Sequence, residues 1–419
     1  MIHKLLCRHG IASARSQRFV QERAVAVVFL ACATLSAGEP SVTWYRLQSP
    51  GLDGEEIEQA SDLCYGPLGE YRGLWTVCDR NGGRSAGRIY LFAPKALAAA
   101  RAGGSITADH EFTVTPPPVG WSTFGRDHAR LGPDVLNHIE ERVAAGLTGG
   151  DGKRLDLEAV TIGVSSAAPH KPRLFVVAEE PYSLMLELEV RAGQGASASA
   201  ELIAAYRYFE RDEGHGADFN DGLEGLAYAG SPGEFWWAEE GTRLHQPNAH
   251  PRLFFSDPRV GRGELKEGAL VVDQPISDAL TGAVRERKDG AAQTLNALCV
   301  MKDGRLLAVD RNGGWVLLID PVSRTAARWF NVYNVGGTNL REALAAFPGP
   351  RGMTYVSIEG IAVDDRGSVW LVDDPAMPEP FRASCLVRIS GLPLPPEGDP
   401  ASSRGTLVPG SAGTSPAAR

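Results

Sequence analysis

One strand–turn–strand pattern recurs five times along this chain of 419 residues. A unit that repeats in this way restricts the fold more than composition or length does. Each copy has a short apolar strand opened by a polar residue, then a turn, then a second apolar strand closed by an acid. The copies run from Ser61-Asp62-Leu63-Cys64-Tyr65 to Asp79, from Glu158-Ala159-Val160-Thr161-Ile162 to Glu179, and from Glu224-Gly225-Leu226-Ala227-Tyr228 to Glu239. Two more run from Asn296-Ala297-Leu298-Cys299-Val300 to Asp310 and from Glu359-Gly360-Ile361-Ala362-Val363 to Asp373. The first and fourth continue with the same Asp-Arg-Asn-Gly-Gly, from Asp79 and from Asp310, as copies of one unit would.

A third strand is expected after each pair, at Ile89–Phe92, Leu184–Leu188, Leu253–Phe255, Val316–Ile319 and Leu386–Ile389. Pro94, Pro258 and Pro321 follow three of them and suit strand ends, because proline cannot donate to a ladder. Outer strands are expected at Glu111–Val114, Glu201–Phe209, Ala269–Asp273 and Ala327–Val332, and the last copy lacks one. The N-terminal run Val42–Leu47 is expected to supply it and so close a ring. The reading is an all-β chain, a β-propeller of five or six blades of four antiparallel strands, over residues 38–394. A sixth, divergent blade would have to fall between residues 95 and 150, and a β-solenoid would need shorter repeats. Helical spacing predicts insertions at Pro133–Ala145 and at Thr338–Ala346, the latter with Asn339 as its cap.

Residues 1–37 read as a signal peptide: a basic segment, an apolar stretch from Ala24 to Leu35 too short to span a bilayer, and a small-residue exit at Ala37. Their removal takes away a net four positive charges and changes the formal charge from −9 to −13. So acidic a product argues against nucleic acid or an anionic membrane as partner, and the expectation is a periplasmic or secreted monomer with no membrane span. Cys64, Cys78, Cys299 and Cys385 remain, with no zinc spacing among them. A Cys64–Cys78 bridge within one hairpin and four buried thiols are both compatible with an oxidising compartment. The Pro/Gly/Ser/Ala-rich tail, 395–419, is expected to be disordered.

In a propeller the opening residue of each first strand faces one mouth of the central channel. Here that column is Ser61, Glu158, Glu224, Asn296 and Glu359. Three converging carboxylates repel unless something positive sits among them. Oxygen donors without histidine suit a hard cation, Ca²⁺ before Mg²⁺, with Glu158, Glu224, Asn296 and Glu359 as the expected ligands. The structural alternative is that these side chains cap backbone amides of neighbouring blades. The second column, Asp79, Glu179, Glu239, Asp310 and Asp373, reads first as turn caps, with lining of the opposite mouth as a further option. Within it Asp79 and Asp310 are candidate general bases, and Arg80 and Arg311 candidate holders of an anionic substrate. No Gly-x-Ser-x-Gly elbow, P-loop or dinucleotide fingerprint occurs.

Laid side by side, the motifs Ser61-Asp62-Leu63, Asp156-Leu157-Glu158-Ala159, Asn220 with Glu224-Gly225-Leu226-Ala227, Leu295-Asn296-Ala297-Leu298 and Glu359-Gly360-Ile361 before Asp373 resemble the phytase-like family with esterase-like activity. The resemblance spans roughly residues 55–392, with Asp62 and Ala159 in place of expected glycines. It implies secretion, a propeller and hydrolysis of a phosphoester or carboxylic ester. The expectation is a Ca²⁺-dependent hydrolase of a small-molecule ester or phosphoester. A non-catalytic module for an extracellular glycan, peptide or protein ligand, and a lactonase-like enzyme, stand as alternatives.

Overall fold

The computed structural model describes residues 40–50, 55–79, 83–148, 154–179, 182–193, 197–208, 223–239, 243–244, 254–255, 259–266, 269–272, 295–311, 313–335, 337–338, 357–373 and 384–393. The expected signal peptide, the C-terminal tail and all but Thr338 of the second expected helix lie outside them, as does Arg80. All the strands belong to one compact unit, Ser41–Ser390.

The chain enters through β1 (Ser41–Gln48). It then forms β2 (Ala60–Leu68), β3 (Tyr71–Cys78), β4 (Arg88–Phe92), helix α1 (Pro94–Ala99), β5 (Ser105–Thr107) and β6 (His110–Thr115). Helices α2 (Trp121–Asp127) and α3 (Pro133–Thr148) lead to β7 (Leu157–Gly163), β8 (Arg173–Ala178), β9 (Leu184–Arg191) and β10 (Ser197–Tyr208). The third copy holds β11 (Leu223–Tyr228), β12 (Glu234–Glu239), a small β13 (Arg243–Leu244) and β14 (Phe254–Phe255) pair, β15 (Arg259–Lys266) and β16 (Ala269–Val272). Next come β17 (Leu295–Val300), β18 (Leu306–Asp310), β19 (Trp315–Asp320) and β20 (Thr325–Asn331), then β21 (Ile358–Val363), β22 (Val369–Asp373) and β23 (Cys385–Ser390).

Among the described residues these strands form five four-stranded antiparallel sheets, β2-β3-β4-β6, β7-β8-β9-β10, β11-β12-β15-β16, β17-β18-β19-β20 and β21-β22-β23-β1. The first strands neighbour one another in a circuit, β2 to β7 to β11 to β17 to β21 and back to β2, so the arrangement is propeller-like. As expected, β1 completes the last sheet, with Val42 opposite Ile389 and Tyr45 opposite Leu386. Parallel pairs of β6 with β10, β10 with β16 and β1 with β5 stitch outer edges of neighbouring sheets.

Second strands are enclosed on both faces by adjacent sheets, so β8, β18 and β22 are buried along their whole length and carry the apolar runs Leu174–Ala178, Leu306–Val309 and Val369–Val372. Outer strands such as β6 alternate, with Phe112 and Val114 buried between more exposed neighbours. Helix α3 turns Val135, Ile139 and Val143 into the core over the first two sheets; it is the expected first helix, three residues longer at its end.

One expected strand is corrected, and two alternatives that the sequence left open find no support among the described residues. Leu253–Phe255 is not the third strand of the third sheet: Phe254 and Phe255 pair with Leu244 and Arg243, and β15 takes that place. The sequence of β15 hides its role because Gly261 and Gly263 lie opposite Trp237 and Phe235, where small residues leave room for large ones. No sixth sheet lies among the described residues between 95 and 150, which hold α1, α2, α3, β5 and β6. None of the four cysteines forms a disulfide, and Cys64 lies opposite Trp75 while Cys78 lies opposite Ala60, out of reach of each other.

The two ends of the ring differ. Where the first strands begin, the connections 116–156, 240–258, 273–294 and 332–357 are long. At the other end, apart from 93–109, no connection exceeds the nine residues 164–172. Loop length is therefore concentrated at the mouth where the polar column lies, the pattern of a functional face.

Candidate functional site

Every first strand carries a β-bulge at the same place. The ladder slips between Ala60 and Asp62, Leu157 and Ala159, Leu223 and Gly225, Leu295 and Ala297, and Ile358 and Gly360. The residue skipped each time is the column residue: Ser61, Glu158, Glu224, Asn296 or Glu359. A bulged residue has no partner opposite it and its side chain is re-aimed, a device common beside active sites. All five are nevertheless buried.

Ties between neighbouring sheets are made deeper in the channel, by other residues. Asp62 Oδ2 accepts the Val160 amide at 2.9 Å, and the Ile361 amide also donates to this carboxyl. Three residues beyond the bulge, Thr161 Oγ1 accepts the Tyr228 amide at 3.3 Å, while the thiols of Cys64 and Cys299 face the amides of Ile162 and Val363. Capping between sheets, the structural alternative for the column, is thus carried one and three residues beyond it. Burial raises the Asp62 carboxyl well above the ordinary carboxylate range and pushes the Cys299 thiol up to about 12. These side chains serve the ring.

The second column lies at the same mouth as the first, not the opposite one, because an antiparallel second strand ends where the first begins. Carboxyl oxygens of Asp79, Asp156 and Glu158 all lie within 4.8 Å of one another, across the junction of the first two sheets. Burial first, and then the charges of Glu224, Asp156, Asp79 and Glu179, hold the Glu158 carboxyl well above its usual range. Gln59 is buried in a left-handed conformation, φ 52°, and with its amide nitrogen turned inward it donates to both Asp79 oxygens at 2.7 and 2.8 Å. A non-glycine residue in that region is uncommon and marks a position held by its surroundings.

On the other side of the mouth Glu359 has a cationic partner. Arg311 pairs with Glu359, which also accepts the Ser357 hydroxyl at 2.7 Å. Asp310 Oδ1 accepts the Gly313 amide at 2.9 Å and so caps its own loop, while Asp373 Oδ1 accepts the amide of Ser357, just ahead of β21, at 2.8 Å. The shared Asp-Arg-Asn-Gly-Gly is also not placed alike: Asp310 pairs opposite Leu295, next to the bulge, whereas in the first sheet Cys78 takes that place and Asp79 lies one step beyond.

Asn296 stands in the column between Glu224 and Glu359. It is fully buried, and neither its amide oxygen nor its nitrogen has a hydrogen-bond partner. Such groups are rare and costly, and point to a ligand, ion or water. The acids and the Asn296 amide at this mouth offer oxygen donors, three of them from close carboxyls, and such a set fits a hard cation. The sequence reading placed Glu158, Glu224, Asn296 and Glu359 at one mouth, as found, and missed Asp156, Gln59 and Ser357. Asp156 had a signal, since it opens the Asp-Leu-Glu motif; a left-handed Gln59 had none.

The fold and this mouth define a propeller-like protein with an acidic, oxygen-donor site on its ring axis. A family profile described as "Phytase-like: Esterase-like activity of phytase" matches residues 56–375, and the chain belongs to that family. A comparison with curated proteins gave no match. Solved structures similar to the chain include a luciferin-regenerating enzyme, at 10% identity and TM-score 0.38 over 84% of this chain and 96% of the other. Another is Pseudomonas fluorescens PhoX in complex with vanadate, at 9% identity and TM-score 0.36 over 84% and 76%. Virginiamycin B lyase from Staphylococcus aureus follows at 12% identity and TM-score 0.30 over 80% and 67%.

Proposed function

We propose that this chain is an exported five-bladed propeller that hydrolyses a small-molecule phosphoester or other ester with the help of Ca²⁺. The observation that carries the reading is the close acid trio Asp79, Asp156 and Glu158 at the mouth that also holds the bulged column. Glu158, Glu224 and Asn296, joined by Asp79 and Asp156, would hold the ion. Bound there, Ca²⁺ supplies positive charge that polarises an ester oxygen.

The chain's own groups divide the remaining work. Arg311, fixed by Glu359, presents a guanidinium to an anionic substrate, and Arg80 is proposed for the same role. Gln59 holds Asp79 in place. With Asp79 engaged in the trio, the proton-accepting role falls to Asp310, beside Arg311 in the chain. Among the described residues no helix is long and apolar enough to cross a membrane. The basic and apolar N-terminal segment supports export with a mature start near Gly38, which N-terminal sequencing of secreted protein tests; an intact Met1 on active protein contradicts it.

Purified protein is to be assayed against p-nitrophenyl phosphate, p-nitrophenyl acetate, phytate and simple lactones, in Ca²⁺ and in EDTA. Calcium-dependent turnover of a phosphate or carboxylic ester supports the proposal. Turnover of lactones alone supports the lactonase-like alternative, and no turnover of any supports the binding module.

A further inference from the structure

Three residues beyond the bulge the first strands carry another set of matched positions, Cys64, Thr161, Ala227, Cys299 and Ala362. Every first strand is bulged at the same step, so these side chains share one level of the ring, deeper than the acidic mouth. Two of them are thiols, on β2 and β17. Those strands belong to sheets that are not neighbours, yet they come within 8 Å of each other, Cα to Cα, across the axis. Cys299 is close enough to act electrostatically on Cys64, and Asp62 acts on both.

The channel can be reached at this level. The column is buried, whereas β2 and β17 become half-buried again at Cys64 and Tyr65 and at Cys299 and Val300. Ile162, Tyr228 and Val363 do the same on the other first strands, so the opening faces the end with short connections, away from the acids. Cys78 and Cys385, by contrast, are fully enclosed.

Each sulfur accepts a main-chain amide of the next first strand, Ile162 for Cys64 and Val363 for Cys299. Such outer hydrogen bonds orient a metal ligand and support its charge. Burial raises both thiols, Cys299 to about 12, so an ion held here must bind thiolate strongly enough to offset the loss of each proton. Among the described residues the one group of three or more close acid, histidine or cysteine side chains is the trio at the mouth, so these thiols lack the further partners of a tetrahedral zinc site. Two sulfurs alone suit a soft cation, Cu(I) above all.

We propose that Cys64 and Cys299 form a soft-cation site inside the ring, separate from the acidic mouth, in which one Cu(I) is held between the two sulfurs. Two S–H bonds break, two Cu–S bonds form, two protons leave to solvent and the copper keeps its oxidation state. The site does not depend on the hydrolytic reading above.

The full mature chain, reduced with dithiothreitol and desalted without oxygen, is to be titrated with Cu(I) as its acetonitrile complex in competition with bicinchoninate. Native mass spectrometry counts the bound ions. One Cu(I) per chain is expected, with a copper K-edge absorption spectrum that shows sulfur neighbours alone. Cys64→Ser and Cys299→Ser are each expected to lose the ion to bicinchoninate. No Cu(I) retained by the wild-type chain overturns the site. Two ions, each lost with a different thiol, overturn the sharing of one ion, as does one ion kept by the double variant Cys64→Ser, Cys299→Ser. Oxygen or nitrogen neighbours at the copper overturn the two-sulfur site. The wild-type count and spectrum need no variant to fold, and circular dichroism selects the variants that are compared.

Discussion

The Asp62 carboxylate of the first sheet accepts the Val160 amide of the second at 2.9 Å, from a position with no solvent exposure. Burial raises its pKa above the unfolded value, so the folded chain binds this proton more tightly than the unfolded chain does. The stability contributed by the proton is complete below the unfolded pKa and is lost as pH rises toward and through the folded one. Asp62→Asn keeps an acceptor for Val160 and carries no charge. Its advantage over wild type is therefore absent near pH 3.5 and grows by about 1.4 kcal/mol per pH unit between the two pKa values. Urea denaturation across pH 3.5–8 checks this, and a variant that is weaker throughout contradicts it.

Thr161→Val keeps the shape of the channel wall and removes the acceptor of the Tyr228 amide. Leaving a partly buried amide unpaired costs about 1–3 kcal/mol. Equilibrium denaturation is expected to show that loss with calcium titration unchanged, because the tie lies three residues beyond the column.

At Gly360 the last sheet lies close against the first. A Cβ there would lie 2.8 Å from both Cα and the carbonyl carbon of Asp62 and 2.5 Å from Val372 Cγ1. Backbone cannot yield as a flexible side chain does, so Gly360→Ala is expected to cost about 1–3 kcal/mol or more through overpacking. A thermal melt reads this directly, and an unchanged melting temperature would show that the sheets are not in contact there.

Glu359 was expected among the cation ligands, but it already matches Arg311 and accepts from Ser357. Glu359→Gln is expected to leave calcium affinity within about twofold. It also strips Arg311 of its charged partner and lowers stability by about 1–3 kcal/mol, since the pair is largely shielded from solvent. Isothermal titration and denaturation of the same variant measure both, and a tenfold loss of affinity would return Glu359 to the ligand set.

The ring was legible in sequence because its second strands are buried on both faces and so announce themselves as short apolar runs between turns. Closure by β1 followed from the missing fourth strand of the last copy. β15 was not legible, since its glycines are explained only by Trp237 and Phe235 across the ladder. The column was legible as a column, but its bulges were not. Asp62, which reads as a misplaced glycine, proved to be a tie between sheets. Arg311 read as a holder of an anionic substrate, and nothing local in the sequence signals its pairing with Glu359, 48 residues away.

The central claim is that the bulged column and its neighbouring acids hold a hard cation. These groups come together only in the folded chain, so an ion there binds the native state and stabilises it, by about 2.7 kcal/mol when free ion is one hundred times the dissociation constant. The most direct measurement is the thermal melt of the wild-type chain in Ca²⁺ and in EDTA. The account predicts a melting temperature several degrees higher in Ca²⁺, rising further with its concentration; superimposable melts in the two conditions would contradict it.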